Sequence, residues 1–140
     1  MPNTHEIEIS PEAYLEELRS DTDFPYEAIL SMVGRRGEYL SKWVSLKTAA
    51  KRKAGEIEAE MKREYPKLFL KYMTDYEIAL TAQQADKMLK CDEWWLAKEK
   101  EAEETKTCSE IADRAIKFFE SLSYDAKIVM ESEKLFAGGI

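Results

Sequence analysis

Residues 38–65 read EYLSKWVSLKTAAKRKAGEIEAEMKREY, and this stretch decides the fold. It lies in a longer segment that opens at Pro25 and whose apolar residues recur at spacings of three, four or seven. These residues are Ile29, Val33, Leu40, Trp43, Ala50, Ala54, Ile57 and Met61. Because such spacing lines one face of an α-helix, the segment predicts a long amphipathic helix.

Two glycines and one proline interrupt this helical pattern. Gly34 and Gly37 flank a pair of arginines, and each glycine costs up to ~1 kcal/mol in a helix interior. They predict either a kink or a break between two helices, and the pattern slightly favours a continuous, bent helix. Pro66 is predicted to end or kink the segment, so that residues 67–75 form a connection.

A short helix is predicted before this segment. Ser10 followed by Pro11 is a helix start, with a hydroxyl at the N-cap and proline at the first helical position. The helix is expected to run to about Arg19. The residues before Ser10, including His5, are predicted to form a flexible tail.

The second half of the chain is also predicted to be helical, because no glycine or proline occurs between Pro66 and Gly138. One helix is expected from about Asp75 to Lys90, and Asp92 either caps a new helix or lies within a continuing one. Residues 98–106, KEKEAEETK, have almost no apolar face and are typical of a solvated helix. The predicted fold is all-α, with a few long helices that form a bent hairpin or bundle in one domain over residues 1–140.

From Cys108 onward the apolar residues form a broad stripe. It comprises Ile111, Ala115, Phe118, Leu122, Ala126 and Val129, widened by Ile116 and Phe119. A stripe this broad needs at least two neighbouring elements, and sister chains are expected to cover it. The sequence therefore predicts a homo-oligomer, with a C-terminal interface built from Ile111, Ala115, Phe118, Leu122 and Val129.

Several classes of function find no support in the sequence. There is no glycine-rich phosphate loop, and no histidine lies near Cys91 or Cys108 to activate a thiolate. The chain has one histidine and no CxxC motif, so neither a metal nor another cofactor is expected. No window of the sequence approaches the ~20 consecutive apolar residues that a transmembrane helix needs. We expect a cytoplasmic protein that is not an enzyme and keeps its cysteines reduced.

Charge is segregated along the chain. The formal net charge is −7 and the pI is about 4.9, yet residues 35–72 carry eleven lysines and arginines against five glutamates. A local excess of positive charge with interleaved aromatic residues is typical of a surface that binds a phosphate backbone. The candidate contacts are Lys47, Lys51, Arg52, Lys62, Arg63, Tyr65, Lys67, Lys71 and Tyr72.

Single strands are favoured as the ligand over duplex, because aromatic rings stack on unpaired bases and no short basic recognition helix is evident. The alternative is that the cations only contact solvent and that Tyr65, Phe69 and Tyr72 belong to the core. Trp94 and Trp95 are also ambiguous, because neighbours on a helix diverge by ~100°. One of them can be core while the other meets a partner.

The order of several short motifs resembles the UvsY family of tailed-phage recombination mediators. The resemblance lies in LEEL at residues 15–18, YEA at 26–28, SKW at 41–43, DKMLKCD at 86–92 and the final helix from SYDAK to KLFAG, residues 123–138. It covers most of the chain. The chain departs from the family pattern at Pro66 and lacks the Tyr-Ser-Gly that usually follows.

The resemblance implies a small, helical, non-enzymatic ring oligomer that binds single-stranded DNA. Such mediators contact the phage recombinase and single-strand-binding protein and assist loading of recombinase onto covered strands in DNA recombination and repair. In a phage-encoded protein the expected location is the host cytoplasm. Carried over by motif, the DNA contacts fall on Lys62, Arg63, Tyr65, Lys67, Lys71 and Tyr72. The alternative from another class is a helical adaptor or structural oligomer that binds only proteins.

Overall fold

The structure is a computed structural model that describes residues 7–75 and 78–138, without the side chains of Ser123, Val129 and residues 136–138. All regular structure in these ranges is helical, which confirms the all-α prediction. The helices are α1 (Pro11–Thr22), α2 (Ile29–Gly34), α3 (Arg36–Thr74), α4 (Ala82–Lys90) and α5 (Glu93–Gly138), with a 3₁₀ turn at Tyr26–Ala28 before α2.

The two long helices α3 and α5 form an antiparallel pair that organises the molecule. Tyr39 near the start of α3 stacks on Phe119 late in α5, whereas Tyr65 near the end of α3 contacts Trp95 at the start of α5. α1 and α2 pack against α5 near the start of α3, and α4 packs near the end of α3. With a rise of 1.5 Å per residue, α3 is ~58 Å long and α5 ~69 Å.

The hydrophobic core lies where α1, α2, α3 and α5 meet. Its buried members are Tyr14, Met32, Tyr39, Trp43, Leu46, Ala50, Cys108, Ile111, Ala112, Ala115, Phe119 and Leu122. The Tyr14 hydroxyl donates to the carbonyl oxygen of Leu46 at 2.7 Å, which joins α1 to α3. Burial raises the pKa of Tyr14 to about 12. This core holds the basic helix α3 in a fixed orientation within one chain.

The helix starts follow the predicted capping chemistry. The Ser10 side chain accepts from the backbone N–H of Ala13 at 3.2 Å, and Pro11 occupies the first turn of α1. Asp92 caps α5 by accepting from the N–H of Trp94 at 2.9 Å, so a new helix begins there. His5 lies outside the described residues. Within the expected tail, Ile7 and Ile9 pack against the core.

The glycine-rich segment contains a break. α2 ends at Gly34 and α3 begins at Arg36, with Arg35 between them at φ −103° and ψ 4°. The favoured alternative of one continuous bent helix is therefore wrong. Arg35 then ion-pairs with Glu38 at 3.6 Å and lies 5.4 Å from the Tyr39 ring centroid, which fixes the start of α3.

The helix does not end at Pro66, so of the two predicted alternatives, an end or a kink, the end is wrong, and residues 67–74 are helix and not a connection. α3 continues to Thr74, and Asp75 closes it with an N–H bond to the Lys71 carbonyl. Proline removes one donor from the helix, but Pro66 lies on the exposed side, where water can reach the unpaired carbonyl. Packing of the opposite side against α5 stabilises the remaining turns.

The next helix begins later than the sequence predicts. α4 starts at Ala82 instead of near Asp75, because Thr81 and Gln84 form a reciprocal capping box. The Thr81 hydroxyl accepts from the Gln84 N–H at 3.2 Å, and the Gln84 side chain accepts from the Thr81 N–H at 3.0 Å. Buried Ala85 and Leu89 form the apolar side of this helix.

Candidate nucleic-acid interface

Part of the positive charge of α3 is used inside the chain. Lys42 is buried with its side chain 1% exposed, and its ammonium binds Glu17 and, at 2.8 Å, Asp21 of α1. Lys47 pairs with Asp113 of α5 at 2.6 Å, and Lys53 lies 3.8 Å from Glu101. Lys47, a predicted DNA contact, therefore has a structural partner. The charge segregation in the sequence partly reflects a basic helix packed against acidic ones.

Six further cations of α3 remain exposed to solvent. They are Lys51, Arg52, Lys62, Arg63, Lys67 and Lys71. All six were predicted contacts. From Lys51 to Lys71 they extend over ~30 Å of helix, a length that spans several successive phosphates of a strand.

Two of these cations have carboxylate neighbours on the same helix. Lys62 lies 3.2 Å from Glu58, and Lys67 lies 3.4 Å from Glu64. The side chains of Lys62 and Glu58 are 77% and 69% exposed, so this pair contributes little and can exchange for a phosphate. The exposed side of α3 therefore keeps its capacity to bind anions.

The two predicted stacking tyrosines are held by hydrogen bonds. The Tyr65 hydroxyl donates to Asp86 of α4 at 2.5 Å, and the Tyr72 hydroxyl donates to Asp92 at 2.6 Å. The bond to Asp86 raises the pKa of Tyr65 and lowers that of Asp86, and the Tyr72 hydroxyl likewise lowers the pKa of Asp92. Both rings are half-buried. They join the end of α3 to α4 and to the start of α5.

Sequence reasoning missed that Tyr65 belongs to a larger aromatic cluster of Tyr65, Phe69, Trp94 and Trp95. Phe69 lies 6.0 Å from Tyr65 between ring centroids, Trp95 lies 5.8 Å from Tyr65, and Trp94 lies 6.5 Å from Trp95. The spacing of Tyr65 and Phe69 at i and i+4 was a usable signal. Their contact with α5 depends on the long-range register of two helices.

Most of the predicted oligomerisation residues are covered by other parts of the same chain. Ile111, Ala115 and Leu122 are buried in the core, and half-buried Phe118 contacts Phe24 at 6.1 Å between ring centroids. The side chain of Val129 lies outside the described residues. These side chains are covered by α1, α2 and α3, so the apolar stripe does not require a sister chain here. Beyond Leu122, the described part of α5 has exposed apolar residues at Tyr124, Ile128, Met130 and Leu135.

The two cysteines are expected to differ sharply in reactivity. Cys108 is fully buried, and burial raises its pKa to about 11, whereas Cys91 is exposed. A thiol reagent should therefore modify Cys91 in the native chain at neutral pH and reach Cys108 only on unfolding, because the thiolate is the reacting form. Counting labelled thiols by mass spectrometry, with and without urea, tests this. Rapid labelling of Cys108 in a native Cys91→Ser variant would contradict it.

No described helix is both long and apolar enough to cross a lipid bilayer. Within residues 7–75 and 78–138, no three His, Cys, Asp or Glu side chains cluster in a way that could hold a metal ion. Comparisons with protein-family models, curated proteins and solved structures returned no match.

Proposed function

We propose that this protein binds single-stranded DNA along the exposed side of α3 and acts as a recombination mediator without catalytic activity. The observation that carries the proposal is that six cations between Lys51 and Lys71 are exposed on one helix. Cations fixed along one axis match a line of phosphates and release counterions on binding. The sequence resemblance to the UvsY family adds the mediator role, the recombinase and single-strand-binding protein as partners, and the cytoplasm as location.

The proposed mode of action is positioning of the strand. A strand bound along α3 is wrapped or kinked on the basic surface of the oligomer, so that a recombinase can nucleate where single-strand-binding protein is displaced. No bond is made or broken. The proposal also includes a homo-oligomer, because a ring would place several weak basic surfaces side by side and increase affinity by multivalency.

The exposed end of α5 supports the oligomer part of the proposal. Tyr124, Ile128, Met130 and Leu135 are between 45% and 76% exposed in a single chain. Apolar side chains grouped on one helix end are a candidate contact for a sister chain. The same residues also favour the second candidate function, a helical adaptor that binds only proteins.

A salt titration separates the two candidates. We expect a labelled oligothymidine to bind the full chain in fluorescence anisotropy, with affinity that falls steeply as salt rises. The Lys62→Ala/Arg63→Ala variant should bind more weakly, and its slope of log affinity against log salt should be smaller by about 1.4, since each phosphate contact contributes about 0.7 for single strands.

A control variant with the same change in net charge makes the test specific. Lys100→Ala/Lys106→Ala removes two exposed lysines from the acidic stretch of α5. It should leave both affinity and salt slope close to those of the unmodified chain. If both double variants lose affinity equally, overall charge and not the α3 surface governs binding. No binding at low salt would overturn the proposal and favour the adaptor.

A further inference from the structure

The aromatic cluster at the end of α3 has the composition and position of a base-binding site. We propose that Tyr65, Phe69, Trp94 and Trp95 form a surface on which unpaired nucleobases of a single strand stack. This inference rests on the proposed function, because it assigns a site for the bases of the strand whose phosphates bind the α3 cations.

The four rings form a continuous, partly accessible surface. Tyr65 is central, with Phe69 nearly parallel to it at 22° and Trp95 edge-on at 65°. All four residues are half-buried, in contrast to fully buried Trp43. Each of the four therefore retains exposed surface. Ring faces stack on any base, which suits binding without sequence preference.

The cluster lies in register with the exposed cations. Lys62, Tyr65 and Phe69 occupy positions i, i+3 and i+7 of α3, which places them on one side of the helix. Lys51 lies three turns earlier on the same side, ~16 Å along the axis. A strand whose phosphates contact Lys51 and Lys62 therefore reaches the rings with its next nucleotides.

Two carboxylates near the rings, Asp86 and Glu60, lie beside lysines, and Glu99 accepts from the indole N–H of Trp95 at 3.0 Å. Asp86 accepts from Tyr65 and pairs with Lys90 at 3.2 Å. Lys98 lies 2.9 Å from Glu60 and 5.7 Å from the Trp94 ring centroid. These cations offset the negative charge that would repel an approaching phosphate. The surroundings of the rings thus permit a polyanion to bind.

Tryptophan fluorescence tests this site directly in the full chain. The Trp94→Phe variant keeps only Trp95 and the fully buried Trp43 as indole fluorophores. Adding oligothymidine at low salt should quench its emission, and the quench should disappear in a Trp94→Phe/Trp95→Phe variant that retains Trp43. Quenching of the same size in both variants would overturn the stacking site.

Affinity provides the second readout. Trp95→Ala should weaken oligothymidine binding roughly ten- to hundredfold, whereas Trp95→Phe should keep most of the affinity because it preserves an aromatic face. Leu96→Ala is the matched control, since Leu96 is the exposed neighbour on α5 and should not contribute. Circular dichroism checks that each variant is folded; if Trp95→Ala is unfolded, the quench and the Trp95→Phe affinity decide.

The outcomes separate the two proposals. Salt-sensitive binding with no quench, and with unchanged affinity of folded Trp95→Ala, would overturn the stacking site and leave the α3 phosphate surface intact. No binding of oligothymidine by the unmodified chain would overturn the proposed function itself. Quench together with selective loss in Trp95→Ala supports both.

Discussion

The Glu17→Gln/Asp21→Asn variant is expected to be about 3–5 kcal/mol less stable than the unmodified chain. Both substitutions preserve side-chain volume but remove the two negative charges that face the buried ammonium of Lys42. The Lys42 side chain is 1% exposed, so water cannot replace its partners. Asp21 also accepts from the indole N–H of Trp43 at 3.0 Å, and its loss as an anion weakens that bond too. Urea unfolding followed by circular dichroism measures the change.

Two controls test whether the burial of the Lys42 ammonium causes the expected loss of stability. Asp113→Asn breaks the partly exposed ion pair with Lys47 and should cost less than about 1 kcal/mol. Adding Lys42→Met to the double variant should recover most of the lost stability, because it removes the unpaired charge and keeps a side chain of similar length. A double variant no less stable than Asp113→Asn would show that the buried charges do not stabilise the link between α1 and α3.

The buried group of Lys42, Glu17 and Asp21 also shows which part of the charge pattern could be interpreted from the sequence and which part could not. The excess of cations in residues 35–72 was evident, and the exposed group from Lys51 to Lys71 agrees with the predicted surface. The use of Lys42 to bind α1 was not predictable, because its partners lie 21 and 25 residues away in sequence. Such pairs depend on how helices pack, which no local pattern contains.

Local capping rules predicted the starts of α1 and α5 but not the start of α4, whose Thr81/Gln84 capping box was missed. Ser10 and Asp92 act as caps through short-range bonds, so the sequence contains the whole interaction. Pro66 was misleading because the penalty of proline is local, whereas the packing of α3 along α5 that outweighs it is long-range. For the same reason the contacts of Tyr65 and Tyr72 with α4 and α5 were missed.

The apolar stripe of α5 was recognised, but its partner was not. A broad stripe indicates that a helix needs neighbours, and the pattern is the same whether those neighbours belong to the same chain or to another. The structure places the first half of the stripe against α1, α2 and α3 of one chain. The exposed residues that follow it on the same helix, from Tyr124 onward, remain available for a sister chain.

Substitutions of two adjacent phenylalanines of α5 test whether the stripe is covered by the same chain or by a sister chain. Phe119→Ala should destabilise the chain by about 3–5 kcal/mol, because Phe119 is fully buried and stacks on Tyr39 at 4.9 Å and 10°. Phe118→Ala removes the same number of atoms from a half-buried position beside Phe24, so it should cost less than half as much. Urea unfolding of both variants compares them directly.

Protein concentration then identifies what covers this part of α5. Since α3 of the same chain buries Phe119, its loss should lower the unfolding midpoint by the same amount in dilute and in concentrated solution. A contact with a sister chain behaves differently, because its contribution grows with concentration by mass action. A Phe119→Ala defect that grows as protein concentration rises would therefore assign the Ile111 to Leu122 stripe to a subunit interface and contradict the single-chain core.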